Sequence, residues 1–461
     1  MTAEQEREFE RLRAENAELR RSLLKAQQQL AVALERIVEL EAQVNQRRDP
    51  PGFVKPKRHK AASGGPRKKR AAEHNTSRKR MVPTRIERHA LARCPACAYR
   101  LTGESLDYSR EVIELPPPQP VEVSEHQVIK RWCPCCARWR SPQLDLAGQV
   151  LGQGRIGVRV AALVAYLRTT LRLPVRQIQT YLATLHELRL SVGEIVELGH
   201  DVRQQLQPAA DQLLVEVRGQ EAVHQDETGW REDGANGYIW TTASDGPQAV
   251  RHYLYSASRG HQVPLRLLGP SFRGVLVTDF YAAYNRIPGC HQRCWTHLLG
   301  DLHELKERHA ARDDVVVWAE AVRQLYDEAE AWLTCERSVA ERRSKYTELY
   351  QRAEQLGQQY ACATKHPCWA LAKRLLRHQE ELFQFVLRPG VPADNNLAER
   401  SLRPVVIMRK ISGGTRSAEG SKTRLTLASL FATWQARGLN PFVECLAALQ
   451  QPAFAATAAS P

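Results

Sequence analysis

The chain has 461 residues, which is too long for one ordinary hydrophobic core, so we expect two to four domains. Its hydrophobic content of 43% is typical of a globular protein, and it has no run of 18 apolar residues that could cross a membrane. The charged start, MTAEQEREFERLR, lacks the apolar segment of a signal peptide, so we expect a soluble, cytoplasmic protein. Eleven cysteines in such a chain indicate metal binding or free thiols rather than disulfides.

Residues 1–46 predict a two-stranded coiled coil, and with it a homodimer. One heptad position holds Phe9, Asn16, Leu23, Leu30, Ile37 and Val44, and the other holds Leu12, Leu19, Ala26, Ala33 and Leu40. This 4-3 spacing does not slip over five heptads, and Glu, Arg and Gln fill the flanking positions. Asn16 within the apolar seam favours a parallel pair of helices in one register. The alternative is a single amphipathic surface helix.

A basic segment follows, and we interpret residues 47–88 as a flexible linker. Residues 47–93 hold 16 Lys and Arg against 3 Asp and Glu, in a chain whose net charge is +15. Such a block repels itself and cannot bury a core, so its natural partner is a polyanion, with nucleic acid first. Composition alone also permits a nuclear-localisation signal. The runs KPKRHK and PRKKR supply the candidate DNA contacts Lys57, Arg58, Lys68, Lys69 and Arg70.

Residues 89–140 predict a small zinc ribbon. Two C-x2-C pairs, separated by 35 residues, supply the four thiolates that a tetrahedral structural Zn²⁺ requires: Cys94 and Cys97, then Cys133 and Cys136. Cys135 is an additional candidate that could replace Cys133 or Cys136. The stretch EVIELPPPQPVEVSEHQVIKRW between the pairs alternates in polarity, which predicts β-strands.

Residues 150–210 predict three amphipathic helices separated by short breaks. Pro174 suits the first turn of the second helix, and Ser191 suits the N-cap of the third. Three short helices of this kind are typical of a helix-turn-helix unit, in which Arg172, Arg176 and Arg203 would be available for phosphates. A plain helical connector is the alternative.

The periodicity changes again over residues 213–300, where the pattern predicts the order β-β-β-α-β-β-α. Residues 301–390 predict an all-helical region, and residues 391–450 begin with loop residues and continue as helix. Two apolar strands in the first of these regions close on an acid, Asp226 in EAVHQDETGW and Asp279 in GVLVTDFYAAYN. A turn-forming Asp would explain either one alone, and a metal-binding Asp would explain both.

Three motifs resemble those of DDE-type bacterial insertion-sequence transposases, and most closely the insertion-sequence-sixty-six family. The first is DET at Asp226, and the second is DFYAAY at Asp279. The third is NNLAERSLRP, in which Asn395 and Asn396 precede Glu399 in a helix-capping context. RKISGGTRSAEG and GLNPFVECL also resemble that family's tail.

The resemblance implies a multidomain α+β protein with a leucine zipper, a zinc-binding domain and a ribonuclease-H-like α/β catalytic core. In such a core the first and fourth strands are adjacent, and an all-helical insertion interrupts the fold between Asp279 and Glu399. The implied catalytic residues, and ligands of Mg²⁺ or Mn²⁺, are Asp226, Asp279 and Glu399. Hard cations prefer such carboxylate oxygens, and two of them can activate and stabilise the oxygens of a phosphoryl transfer.

Neighbouring residues carry further hypotheses. Glu227 should point to the opposite strand face as a salt-bridge partner, and His297 is either a site residue or a structural one. Cys290, Cys294 and His297 have a spacing that resembles a metal site, although no fourth ligand is evident. Three tryptophans are expected in the core, namely Trp230, Trp240 and Trp295. Further candidate phosphate contacts follow the third acid on its helix, namely Arg400, Arg403, Arg409 and Lys410.

The sequence therefore predicts a DNA transposase that binds the ends of an insertion sequence and performs metal-dependent cleavage and strand transfer. Its expected partners are element ends, target DNA, a second copy of the chain and accessory proteins of the same element. A catalytically inactive DNA-binding regulator and a metal-dependent nuclease without strand joining are the alternatives.

Overall fold

The structure is a computed structural model, and it describes residues 81–152 and 154–451 with isolated positions between residues 11 and 36. The predicted coiled coil and most of the predicted basic linker therefore lie outside the described residues. The chain divides into two compact units, Met1–Leu115 and Pro116–Pro461. Within the described part, no helix has the length and apolar character needed to cross a membrane.

The two cysteine pairs lie in different units, and each forms a tight turn. In the first unit, Arg93 and Arg100 form an isolated antiparallel bridge around the Cys94 turn. In the second unit, β1 (Arg131–Cys133) and β2 (Arg138–Arg140) form an antiparallel hairpin. Each segment is thus a short hairpin that presents its cysteines at or beside the turn.

The strands predicted between the cysteine pairs are absent, because residues 101–130, all of which are described, contain neither helix nor strand. Within residues 111–130 every residue except Val121 is exposed, so alternation in polarity buries no apolar face. Prolines at 116–118 and 120 also remove the N–H donors that a strand needs. The strands predicted for this stretch are therefore not formed, and the predicted zinc ribbon stays a prediction.

Three helices follow, as predicted: α1 (Val158–Thr169), α2 (Val175–His186) and α3 (Val192–Arg218). Pro174 is the N-cap of α2, and Ser191 forms a capping box with Glu194 at the start of α3. The end of α3 differs from the prediction, which ended the helical unit at residue 210 and placed residues 213–218 in the following α/β region. They continue the helix because Leu213 and Val217 are buried in step with the preceding turns.

A five-stranded mixed sheet forms the centre of the second unit, and the predicted order β-β-β-α-β-β-α is confirmed. Its elements are β3 (Ala222–Glu232), β4 (Ala235–Ser244), β5 (Val250–Ser256), α4 (Gln262–Leu268), β6 (Val275–Thr278) and β7 (Cys290–Arg293). The spatial order is β5-β4-β3-β6-β7, in which the first and fourth strands are adjacent and parallel. A 3-10 helix, Ala282–Arg286, connects β6 to β7.

Residues 301–390 are helical, as predicted, and lie in the sequence between β7 and the helix that carries Glu399. The helices are α5 (Trp295–Arg308), α6 (Asp313–Trp332), α7 (Val339–Tyr360), α8 (Trp369–Leu382) and α9 (Gln384–Leu387). We call α6 to α9 the helical insertion. Its core continues into the sheet through Val275 and Val277, whereas Leu276 packs in the core that contains α1 and α3. Strand alternation thus places a helical layer on each face of β6.

The chain ends in α10 (Asn396–Ser412), α11 (Ala418–Ala436) and α12 (Pro441–Gln450). The loop between α10 and α11 extends the hairpin of β3 and β4. Thr415 N donates to the Arg231 carbonyl, and Asp233 N donates to the Thr415 carbonyl, each at 2.9 Å. The predicted core positions Trp230, Trp240 and Trp295 are all buried.

The two glycines of this loop give a matched test. Gly414 has a φ of +132°, and a Cβ added there would overlap the Arg231 carbonyl. We expect Gly414→Ala to lower the free energy of unfolding by about 3 kcal/mol, because both the backbone conformation and the contact must change.

Gly413 is the control, because it has a φ of +71° and nothing within 4 Å of an added Cβ. We expect Gly413→Ala to cost about 1 kcal/mol, from backbone strain alone. Urea unfolding of both variants measures the difference. Equal losses would show that the contact with Arg231 does not limit this loop.

Candidate active site

Asp226 and Asp279 occupy matching positions on the two adjacent parallel strands. The last pair of the β3–β6 ladder is His224 with Val277. Asp226 and Asp279 each lie two residues after the member of this pair on their own strand. Side chains two residues apart share a face of a strand, so this register sets the two acids side by side. One detail was predicted wrongly, since Asp226 does not close its strand. β3 continues to Glu232 because it pairs with β4 beyond the point where β6 ends.

Each aspartate also organises its own backbone. Asp226 Oδ1 accepts from Glu227 N at 2.8 Å, and Asp279 Oδ1 accepts from Tyr281 N at 2.9 Å. The second bond closes an Asp-initiated turn. Asp279 therefore has the turn-forming role that was considered from the sequence. A carboxylate has two oxygens, so a turn that uses Oδ1 does not engage Oδ2.

Glu399 lies in the first turn of α10, and Asn395 ties that turn to the strand of the first acid. The Asn395 side chain is fully buried. Its Nδ2 donates to the Gln225 carbonyl at 2.9 Å, and its Oδ1 lies 3.0 Å from His224 Nδ1. Its backbone N donates to Cys294 Sγ at 3.1 Å, at the start of α5.

The expectation that the Asn395 side chain caps α10 was wrong. Asn395 is the N-cap by position, but its side chain makes no capping bond. Asp394 Oδ1 accepts from Asn396 N at 2.9 Å instead. The amide of Asn395 bonds buried groups of β3, and these bonds replace hydrogen bonds that such groups would make to water.

The charges of the neighbouring acids act on Asp226. Burial raises the pKa of Asp226 to about 8, and the negative charges of Glu227, Asp279 and Glu399 add to this effect. Such a group is only partly ionised near neutral pH, and a nearby cation would favour its charged form. The three carboxylates predicted from the sequence therefore share one electrostatic environment.

Within the described residues, no three His, Cys, Asp or Glu side chains are grouped closely enough to form a complete metal site. The three acids nevertheless suit a hard divalent cation in two respects. Their donors are carboxylate oxygens, and the repulsion that raises the pKa of Asp226 is the feature that a cation relieves. Mg²⁺ also retains several waters and binds few protein groups, so it does not require a closed cage.

His297 lies at the rim of this acidic cluster. Its Nε2 is 3.6 Å from Glu399 Oε1, and its side chain is 38% exposed. A hydrogen bond with Cys294, together with the charges of Asp279 and Glu399, raises the pKa of His297 to about 9. The sequence left its role open, and the structure places a cationic imidazole beside two of the acids. Cys290, in contrast, accepts a hydrogen bond from Arg388 Nη2 at 3.2 Å.

Glu227 is a salt-bridge partner, as the sequence predicted. Arg259 Nε and Nη2 both donate to its Oε1, at 2.9 and 2.7 Å, and the Tyr284 hydroxyl donates to its Oε2 at 2.8 Å. The same guanidinium lies 4.1 Å from the centre of the Tyr281 ring. Glu227 therefore joins β3 to the segment that follows Asp279. Arg259 was not identified from the sequence, because it lies in a loop without a motif.

The predicted phosphate contacts on α10 fall into two groups. Arg400, Arg403 and Lys410 are exposed along the helix that begins beside Glu399. Arg409 turns inward, where its Nη1 donates to the Gly229 carbonyl and to Thr228 Oγ1. Arg409 is therefore not part of the exposed basic row.

The other basic candidates differ in their surroundings. Arg203, which was expected to be available for phosphates, forms a salt bridge of 2.6 Å with Glu419, whereas Arg176 is exposed. The five candidate DNA contacts of the basic linker lie outside the described residues, namely Lys57, Arg58, Lys68, Lys69 and Arg70.

Each cysteine turn favours a thiolate at its first cysteine. Backbone donors from Ala96 and Cys97 lower the pKa of Cys94. In the second unit, donors from Cys136 and Cys135 lower the pKa of Cys133, and Cys136 N lies 3.5 Å from Cys133 Sγ. Thiolates are the form in which cysteine binds zinc, so each turn by itself suits half of a four-cysteine site.

The fold and the acid cluster define a mixed α/β protein with acidic side chains beside the end of the parallel β3–β6 ladder. Residues 153–423, more than half of the chain, match the family described as Transposase IS66 family. The chain belongs to this family.

Relatives with a curated sequence come from Sinorhizobium fredii (strain NBRC 101917 / NGR234). The uncharacterized protein y4qI is 28% identical over 271 residues, which cover 51% of this chain and 49% of y4qI. The uncharacterized protein y4jD is 26% identical over 388 residues, which cover 77% of this chain and 73% of y4jD. The chain thus spans about half the length of the first relative and nearly three quarters of the second.

The adjacent asparagines give a test of the link between α10 and β3. Asn395→Ala would leave His224 and the Gln225 carbonyl unpaired in the interior, so we expect the free energy of unfolding to fall by about 3 kcal/mol.

Asn396 supplies the control, because its side chain donates only locally, to Asp394 Oδ2 at 2.6 Å. We expect Asn396→Ala to cost about 1 kcal/mol or less, as measured by urea unfolding. A loss in Asn395→Ala no larger than that of Asn396→Ala would contradict the proposed tie.

Proposed function

We propose that this protein is a DDE-type DNA transposase that cleaves and joins DNA at the ends of an insertion sequence. The observation that supports the proposal is that the charges of Asp279 and Glu399 help to raise the pKa of Asp226, in a chain of a transposase family. The strand order, with the first and fourth strands adjacent and parallel, supports a ribonuclease-H-like core. The helical insertion lies in the sequence between Asp279 and Glu399, which agrees with that interpretation.

Asp226, Asp279 and Glu399 would hold Mg²⁺ or Mn²⁺. Such ions, when bound, activate the attacking oxygen and stabilise the leaving oxygen of a phosphoryl transfer. The protein's own contribution is to hold the carboxylates in place on two strands and one helix, so that little reorganisation is needed at the moment of reaction. His297, cationic beside Glu399, would attract a DNA phosphate to the exposed side of the cluster.

DNA would reach this site along α10. Arg400, Arg403 and Lys410 continue from the catalytic helix turn as an exposed basic row, and side chains of this type bind phosphates without regard to sequence. Three further parts of the chain would contribute to recognition of the element ends. They are the basic linker (residues 47–88), the cysteine module (residues 89–140) and the helical unit of α1 to α3. The coiled coil would join two copies, which suits a reaction that holds two ends together.

The cysteine module would bind one structural Zn²⁺ through Cys94, Cys97, Cys133 and Cys136. The lowered pKa values of Cys94 and Cys133 support this proposal, because zinc ligands must be deprotonated. Cys135 also donates its backbone N–H toward Cys133, which gives it a role that needs no thiolate.

The experiment that separates the candidate functions is incubation of the purified protein with element-end DNA and Mg²⁺ or Mn²⁺. Strand-transfer products support the transposase, nicks alone support a nuclease, and binding alone supports a DNA-binding regulator. The requirement for a divalent ion is tested in the same assay by adding a chelator.

The three acids are tested by isosteric substitution. We expect Asp226→Asn, Asp279→Asn and Glu399→Gln each to abolish cleavage while element-end binding changes by less than about twofold, because each change removes one charge and no bulk. Cleavage is measured on gels and binding by mobility shift.

Asp245→Asn is the matched control, since Asp245 lies in the turn between β4 and β5 with a side chain that is 75% exposed. It should cleave as the unmodified protein does. Cleavage retained by any one of the three acid variants would remove that residue from the site.

Zinc content tests the cysteine module. We expect Cys133→Ser to lower bound zinc from about one ion per chain to none, because three thiolates hold Zn²⁺ far less well than four. Cys135→Ser is the control and should keep its zinc, as measured by mass spectrometry of metals. Loss of zinc in Cys135→Ser, with retention in Cys136→Ser, would show that Cys135 and not Cys136 is the zinc ligand.

A further inference from the structure

Arg293 is a fully buried charge beneath the edge of the sheet where Asp279 lies. Its side chain has no exposed surface. Its Nη1 donates to the main-chain carbonyl of Asp279 at 3.0 Å and to Thr278 Oγ1 at 3.2 Å. Its Nη2 donates to Asn285 Oδ1 at 3.0 Å, in the 3-10 helix beyond Asp279. One guanidinium therefore bonds the main chain of the second acid and one side chain on each side of it in the sequence.

The partner of this charge comes from the helical insertion. Arg293 Nε lies 2.5 Å from Glu381 Oε2 in α8, and His378 Nδ1 lies 2.7 Å from the same oxygen. The insertion also packs on Phe280, the residue after Asp279. The ring of His378 meets that of Phe280 edge-on with centroids 5.5 Å apart, and the Arg374 guanidinium lies 5.0 Å from the Phe280 ring.

Apolar packing of the insertion on the sheet does not explain why Arg293 and Glu381 form an ion pair here. The insertion already docks on the sheet through an apolar core that includes Val275 and Val277, so a buried ion pair is not needed to hold the two together. Burying a guanidinium is costly, and replacing a buried pair by apolar groups is often neutral or stabilising. Hydrogen bonds from a planar guanidinium are directional, however, so they hold the groups that they join in one relative position.

We propose that Arg293 and Glu381 are positioning residues through which the helical insertion fixes the Asp279 carboxylate for metal binding. This inference rests on the proposed function, because it assigns the pair a role toward the cation that Asp279 would hold. Glu381 orients the guanidinium, and the guanidinium holds the Asp279 carbonyl and the turn that follows it. The insertion is then a structural part of the active site and not only an added domain.

Direct binding of Mn²⁺ tests the proposal without DNA or catalysis. Free Mn²⁺ is measured by electron paramagnetic resonance during titration of the full chain, for the unmodified protein and for Asp279→Asn, Glu381→Gln and Glu328→Gln. We expect Glu381→Gln to weaken Mn²⁺ binding about tenfold, which is typical of the loss of a group that supports a metal ligand.

Glu328→Gln is the matched control. Glu328 accepts from Arg352 Nη2 at 3.0 Å within the insertion, its side chain is 33% exposed against 28% for Glu381, and its contacts do not include Asp279. It should therefore bind Mn²⁺ as the unmodified protein does. Equal weakening in Glu328→Gln and Glu381→Gln would show a general effect of the insertion and overturn the proposal.

The remaining outcomes separate the two hypotheses. Unchanged Mn²⁺ binding in Glu381→Gln, with weakened binding in Asp279→Asn, would overturn the positioning role and leave the metal site intact. Unchanged binding in Asp279→Asn would instead reject the metal site and, with it, the inference.

A second variant covers the case in which Glu381→Gln does not fold, as judged by thermal melting. Asn285 is an exposed residue, and Asn285→Ala removes one of the groups that the Arg293 guanidinium holds. We expect it to weaken Mn²⁺ binding about threefold, a smaller loss than that for a direct supporting group. Binding equal to that of the unmodified protein would then count against the proposal.

Discussion

The active site depends first on the parallel pairing of β3 and β6. Because Ala222, Val223 and His224 pair with Val275, Leu276 and Val277, each strand emerges from the ladder with an aspartate two residues later. A shift of one residue in this register would move one acid to the opposite face of the sheet. Buried apolar side chains on both faces of β6 resist such a shift, since they fill two separate cores. The placement of the two aspartates is thus a consequence of how the sheet is packed.

Placing several carboxylates together is unfavourable, and the structure surrounds them with groups that limit the cost. The raised pKa of Asp226 reflects burial and the charges of Glu227, Asp279 and Glu399. Arg259 and Tyr284 bond Glu227, and a cationic His297 lies beside Glu399. These contacts leave the cluster net acidic and favourable to a cation. They also connect strand β3 to the loop after Asp279, so the same bonds that balance charge restrict movement.

Much of this arrangement could be predicted from the sequence, and the failures have physical causes. Asp226 and Asp279 were identified because acids follow apolar strands, whereas Glu399 was identified only through a family motif, since a lone acid on a helix has no local signal. Arg293 was missed because the polar string CHQR suggests an exposed strand. Here that strand is buried, and the helical insertion supplies hydrogen-bond partners for its polar side chains. For example, Gln292 Oε1 accepts from Phe385 N at 3.0 Å. The predicted strands before β1 failed because alternation without a buried face or a partner strand does not fold.

The bond between Asn395 and His224 joins residues 171 positions apart, and this separation has a consequence for synthesis and folding. A chain emerging from the ribosome completes β3 to β7 and the whole insertion before it supplies Glu399. Closing so long a loop is slow compared with local helix formation, so the cluster is among the last features to assemble. An incomplete chain would carry two acids and lack the third. Assembly of the acid cluster would thus be coupled to completion of the chain through α10.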